Sequence, residues 1–115
     1  MSAPTPALGP VFRLDGDIAI VTGAGSRLPG EIGNGRAISI LLARQGAKVA
    51  LLDYNVTWAE ETKEMIVREG GTAEVWKVDV SDEESCKSAV EGVVGMWGGV
   101  HILVNNGILF FLSMF

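Results

Sequence analysis

Apolar and polar positions alternate along this chain in two different rhythms. "DIAIVTG" (Asp17 to Gly23) is a short, β-rich apolar run that stops at glycine, the pattern of a buried strand. A glycine-rich stretch follows, to Gly35. "RAISILLARQG" then carries Ile38, Leu41, Leu42 and Ala43, expected on one side of a helix, with Gly46 as its stop. "AKVALLD" (Ala47 to Asp53) reads as a second buried strand. "TWAEETKEMIVREGG" has helical spacing, with Trp58, Met65 and Ile66 expected inward and Gly70 and Gly71 ending it. "AEVWKVDV" (Ala73 to Val80) predicts a third strand. "SDEESCKSAVEGVVGMWGG" predicts a helix opened by a Ser81 and Glu84 capping box and continuing to Trp97. "VHILVNN" predicts a fourth strand.

The order is β-α-β-α-β-α-β. Strands that are apolar on both faces and alternate with helices imply a parallel sheet covered on two sides. Right-handed crossovers then give an α/β, doubly wound parallel sheet of about four strands, in the spatial order 3-2-1-4. No internal repeat or linker divides it. Residues 1–13, with three prolines in "MSAPTPALGPVF", read as a flexible lead-in rather than a signal peptide. Residues 14–107 read as the binding domain, and 108–115, "ILFFLSMF", as an apolar tail.

Composition narrows the function classes. The net charge of −5 and the lack of a basic stripe argue against a nucleic-acid partner. No run reaches the 18 or so apolar residues of a membrane helix. The single cysteine, Cys86, excludes an internal disulfide and suits a reducing compartment, so a cytoplasmic location is expected. The single histidine, His101, has no companion ligands in the sequence, so no metal site is expected.

In a doubly wound sheet, ligands bind at the carboxyl ends of the strands, where strand order reverses. After the first strand comes "TGAGSRLPGEIGNGRA". Glycines at a strand-to-helix turn admit a phosphate close to the backbone, and the helix start attracts the anion. Gly23, Gly33 and Gly35 are the candidates; the alternative is a loop that merely turns. No Gly-Lys-Ser/Thr occurs, so this is not an ATP-type phosphate loop, and the helix start offers Arg36 instead. Asp53 follows the second strand, where a carboxylate can accept both ribose hydroxyls of an adenosine, or can simply cap a turn. Asp79 follows the third strand; it could meet an adenine amino group or be a turn residue. Asn105 and Asn106 follow the fourth, where they could bond neighbouring strands, touch a cofactor or form an Asx-turn.

These pieces together resemble the N-terminal, cofactor-binding half of the short-chain dehydrogenase/reductase family. The matching residues are Thr22-Gly23 with Gly33-x-Gly35, Asp53, Asp79-Val80, and "ILVNN" with Gly107, over a span from about Leu14 to Gly107. The resemblance implies a Rossmann fold that binds a nicotinamide dinucleotide. It places Gly23, Ile32, Gly33 and Gly35 along the pyrophosphate, Asp53 at the adenosine ribose, Asp79 at the adenine, and Asn105 and Asn106 near the nicotinamide ribose. NAD is expected over NADP, because a carboxylate at Asp53 accepts from a free 2′-hydroxyl and repels a 2′-phosphate. Arg27 and Arg36 are expected to offset that repulsion in part.

The chain departs from the family pattern in three places. Nine residues, where the family usually has three, separate Gly23 from Gly33. Asn106 is followed directly by Gly107, where the family reads Asn-Asn-Ala-Gly. The family's catalytic serine and Tyr-x-x-x-Lys segment is not found, and the one tyrosine, Tyr54, has no lysine four residues on. No catalytic residue is therefore assigned. The expectation is the NAD(P)-binding part of an oxidoreductase acting between nicotinamide and an alcohol or ketone. The apolar ending suggests a truncated or mis-spliced chain without turnover of its own, with a substrate only in a full-length relative. The alternative is a non-catalytic module that binds a dinucleotide or a partner chain. A methyltransferase-type fold is disfavoured by the Thr-Gly start and "ILVNN". The sequence gives no oligomeric state.

Overall fold

The computed structural model describes residues 13–25 and 33–106. Four strands and three helices alternate: β1 (Ile18–Thr22), α1 (Asn34–Arg44), β2 (Lys48–Asp53), α2 (Val56–Arg68), β3 (Thr72–Lys77), α3 (Glu83–Trp97) and β4 (Ile102–Val104). The strands form one sheet in the order β3-β2-β1-β4, every pair parallel. This is the predicted order.

Burial follows position in the sheet. All five residues of β1 are buried, and so are Val49 to Leu52 of β2, the two inner strands. The outer strands β3 and β4 are mostly half-buried. Parallel register sets Thr22 beside Leu52 and Val21 beside Val104, so the carboxyl ends share one edge. One apolar layer joins Ile18, Ile20, Ala50 and Leu52 to Cys86, Ala89 and Val93 of α3. The other joins Val21, Val49 and Leu51 to Ala43 of α1 and to Ala59 and Ile66 of α2. The direction of winding reverses between β1 and β4, so α3 covers the face opposite to α1 and α2. Among the described residues, no helix is long and apolar enough to cross a membrane.

The helix starts are specified locally. Asn55 caps α2 by accepting the Trp58 N–H at 3.0 Å, a contact of the kind that contributes about 1 kcal/mol. Asp82 caps α3 through the Glu84 N–H, and Glu83 and Glu84 complement the helix dipole. The expected Ser81 cap is thus displaced by one residue. Ser81 gives its hydroxyl and its N–H to the Asp79 carboxylate instead, at 2.6 and 3.0 Å.

A second expectation is corrected in α1. Leu41 is 57% exposed, and the buried positions are Gly35, Arg36, Ser39 and Ala43. Three of these four are small, which lets α1 lie close against the sheet, and Arg36 packs toward α2. Ser39 satisfies its buried hydroxyl by donating to the Gly35 carbonyl at 2.7 Å.

Candidate functional site

The loops that leave β1, β2, β3 and β4 surround an open cleft of about 510 Å³ at the carboxyl edge of the sheet. Gly23, Asp53, Asp79 and Asn106 all line it, together with Gly25, Tyr54 and Trp58. Leu52, Val78 and Val80 form its apolar floor and wall.

The turn after β1 depends on glycine. Gly23 has φ +61°, a conformation that residues with a side chain rarely adopt. A Cβ on Gly35 would lie 1.9 Å from the Gly23 carbonyl oxygen, so the first turn of α1 rests on that turn. Gly33 is the N-cap of α1; it offers no side-chain cap, and the first turn has no acidic residue. The helix start therefore presents backbone N–H groups and the positive end of the dipole, the arrangement that attracts an anion.

Asn106 closes the turn from β4. Its backbone N–H donates to Thr22 Oγ1 at 3.0 Å, and its side-chain Nδ2 donates to the Gly23 carbonyl at 3.3 Å. Thr22 Oγ1 in turn donates to the Val104 carbonyl at 3.3 Å. Asn105 behaves differently. It does not line the cleft, and its Oδ1 is buried without a hydrogen-bond partner among the described residues.

Asp53 is held by two backbone donors. Gly25 N–H donates to Oδ2 and Asn55 N–H donates to Oδ1, each at 2.9 Å. An ionised carboxylate has about four lone-pair sites. The two bonds therefore orient the group and leave acceptor capacity for two further donors. Trp58 stands against Gly25, where a Cβ would come within 2.4 Å of the Trp58 Cβ. Tyr54, 65% exposed, forms the outer lip, with Lys77 Nζ 5.2 Å from its ring centroid.

Asp79 lines the cleft and also builds its own turn. Its carbonyl accepts the Asp82 N–H at 2.9 Å, and its carboxylate takes both Ser81 donors. The Ser81 hydroxyl, and after it the Ser81 N–H, hold the Asp79 carboxyl below the usual carboxylate range. The turn role open in the sequence is thus realised, in a side chain that also lines the cleft.

Arg36 is placed otherwise than expected. Its side chain is fully buried between α1 and α2, bonded to Thr62, Glu61 and the Trp58 carbonyl. The charge is engaged by α2, and Arg36 does not line the cleft. Ile32, Arg27 and Gly107 lie outside the described residues. His101 does backbone work at the opposite edge, its Nδ1 accepting the Ile18 N–H at 3.0 Å. Sequence reasoning did not place Trp58 and Gly25 at the site. The signal was Gly25, two residues past Gly23 in a turn that passes close to the start of α2.

The family model for short chain dehydrogenases matches residues 17–111. Cyclohexanol dehydrogenase of Acinetobacter sp. is 37% identical over 98 residues, covering 84% of this chain and 37% of the relative. The crystal structure of a hydroxysteroid dehydrogenase from Escherichia coli superposes with a TM-score of 0.75 at 35% identity, covering 82% of this chain and 37% of the other. A metagenomic short-chain oxidoreductase in complex with NADP gives 0.74 at 34% identity, covering 82% and 40%. The chain spans about a third of the length of the curated relatives it matches, 31% and 37% for the first two.

Proposed function

This chain belongs to the short-chain dehydrogenase family, and from that premise we propose that its cleft binds a nicotinamide dinucleotide, NAD in preference to NADP. The observation that carries the preference is Asp53. Its carboxylate is fixed by Gly25 and Asn55 and keeps acceptor sites toward the cleft. Ribose 2′- and 3′-hydroxyls are donors that match those sites, whereas a 2′-phosphate would meet a like charge. The donor set fits the rest of the molecule too. The side-chain-free turn at Gly23 and the uncapped start of α1, with Gly33 and Gly35, suit a pyrophosphate. Ile32 is assigned to the same side from the family pattern. The apolar floor of Leu52, Val78 and Val80 suits an adenine, with Asp79 at its amino edge. Asn106, and Asn105 behind it, mark the side toward the nicotinamide ribose.

When bound, the nicotinamide ring supplies or accepts hydride. In a whole enzyme of this family we propose that the partner is an alcohol or ketone. These 115 residues supply the binding half, residues 14–107, and contain no Tyr-x-x-x-Lys spacing, so binding without turnover is the expected behaviour. The single thiol, buried in the core, suits a cytoplasmic setting.

Trp58 in the cleft provides the test. Titration of the chain with NAD+ and NADP+ should quench tryptophan emission at lower NAD+ than NADP+, and the Trp58→Phe variant should lose most of the signal. Tighter NADP+ binding would overturn the preference, and no binding of either would overturn the reading. Ketone-dependent NADH oxidation by the chain alone would show turnover and contradict the binding-half assignment.

A further inference from the structure

Behind the cleft lies a charge that dinucleotide binding does not itself use. Arg36 is 0% exposed. A guanidinium taken out of water is costly unless its N–H groups find acceptors. Its Nε donates to Thr62 Oγ1 at 2.9 Å, and a terminal nitrogen donates to Glu61 Oε1 at 2.9 Å and to the Trp58 carbonyl at 3.1 Å. Thr62 is buried as well, and its hydroxyl donates at 2.8 Å to the carbonyl of Ala24.

The direction of this chain of bonds is fixed. Arginine can only donate, and a carbonyl can only accept. Thr62 has one proton to give. With one lone pair taken by Arg36, that proton is directed to Ala24 rather than to the Trp58 carbonyl, which lies farther off at 3.4 Å. The Ala24 carbonyl and the Gly25 N–H belong to the same peptide unit. One end of that unit is held by Thr62, and the other donates to Asp53 at 2.9 Å. Rotation of the peptide plane would break both bonds together.

We propose that Arg36 is a positioning residue for the ribose-binding carboxylate: through Thr62 it sets the plane of the Ala24–Gly25 peptide, which in turn aims Asp53. Arg36 touches no ligand in this scheme. Its effect on NAD+ rests on the functional reading above; its effect on the peptide does not.

The full 115-residue chain is compared with Thr62→Val, Arg36→Met and Arg36→Lys. Thr62→Val keeps the side-chain shape and removes the relay, so it serves even if the Arg36 variants fold poorly. Amide hydrogen exchange by NMR should show the Gly25 N–H exchanging faster in Thr62→Val and in Arg36→Met, and less so in Arg36→Lys, while Val21 and Leu51 keep their protection; Gly25 protection unchanged in a folded Arg36→Met chain would remove Arg36 from the relay. NAD+ affinity should fall about three- to tenfold, the size expected for one hydrogen bond. The double variant Thr62→Val/Asp53→Asn should lose little more than Asp53→Asn alone, because the route runs through Asp53. A purely structural role would give additive losses instead. Unchanged Gly25 protection in Thr62→Val, or additive losses, overturns the proposal. If Gly25 responds as expected but the wild-type chain binds no NAD+, the relay stands and the functional reading falls.

Discussion

Gly35 lies so close to Gly23 that a Cβ on it would stand 1.9 Å from the Gly23 carbonyl oxygen and 2.8 Å from Asn106 Nδ2. Neither the carbonyl nor the helix start can move without disturbing the edge of the cleft. Gly35→Ala should therefore destabilise the fold by about 1–3 kcal/mol through overpacking and abolish dinucleotide binding. Gly95→Ala is the control. Gly95 lies inside α3 with nothing within 4 Å of a Cβ, and alanine there should stabilise by about 0.5–1 kcal/mol. Thermal melts of both variants, followed by NAD+ titration, check the contrast. A Gly35→Ala chain that melts and binds like the wild type would remove the glycine contact from the account of the site.

Replacing Asp53 by asparagine separates its two roles. The charge that opposes a 2′-phosphate disappears, so the ratio of NADP+ to NAD+ affinity should rise about tenfold or more. At the same time an amide NH2 must face one of the two backbone donors, Gly25 or Asn55. A half-buried donor left unmatched costs at most about 1–3 kcal/mol, so the variant should also melt somewhat earlier. Paired titrations with the two cofactors and a melting curve read the effects independently. An unchanged cofactor ratio would mean that Asp53 does not face the ribose.

The strand order and the shared edge were legible in the sequence because they depend on period and succession. β1 is apolar up to Thr22, β2 is apolar from Val49 to Leu52, and a glycine of positive φ stands at the end of each helix, at Gly46, Gly70 and Gly98. Which of several competent donors and acceptors actually pair was not legible. Ser81 has the spacing to cap α3, yet Asp79 takes its hydroxyl and Asp82 caps instead. Arg36 follows Gly35 directly and reads as a phosphate contact, yet α2 supplies Glu61 and Thr62 on the other side and draws it inward. Leu41 has core spacing, but the inward positions of α1 are taken by Gly35, Arg36, Ser39 and Ala43. Each of these outcomes turns on a neighbour distant in sequence, which a local pattern does not contain.

Acid should weaken the fold through identifiable carboxylates. The Ser81 hydroxyl, with the Ser81 N–H, holds Asp79 below the usual range, and a hydrogen bond from Arg44 does the same for Glu69. A carboxylate with a depressed folded pKa adds stability at every pH above its unfolded value, about 4. That contribution is lost as pH falls through the lower folded value. Ser81→Ala should therefore melt earlier than the wild type at pH 6, and the gap should close as pH falls below about 4. Glu69 is exposed and Asp79 half-buried, so the effect is modest and should shrink in high salt. Melts at closely spaced pH values decide it; a gap that stays constant into acid would exclude Asp79 as the linked group.

Cys86 should be chemically quiet until the fold opens. It is 2% exposed against Ile20, Leu52 and Val93 in the α3 layer. Burial first, and then the negative charges of Asp82 and Asp79, push its thiol pKa up. The thiolate is the reactive form, so iodoacetamide at pH 8 should label the native chain far more slowly than the chain in guanidinium. The same shift bears on alkaline stability. Above the ordinary thiol pKa, about 8.5, the unfolded chain ionises Cys86 while the folded chain still holds the proton. Stability should then decline as pH rises past that value, and Cys86→Ala should remove this part of the decline. Cys86 does not line the cleft, so the alanine variant should titrate with NAD+ as the wild type does. Rapid native labelling would show that the α3 layer opens readily, and the packing that aligns β1 and β2 beneath the cleft would then be weaker than their burial implies.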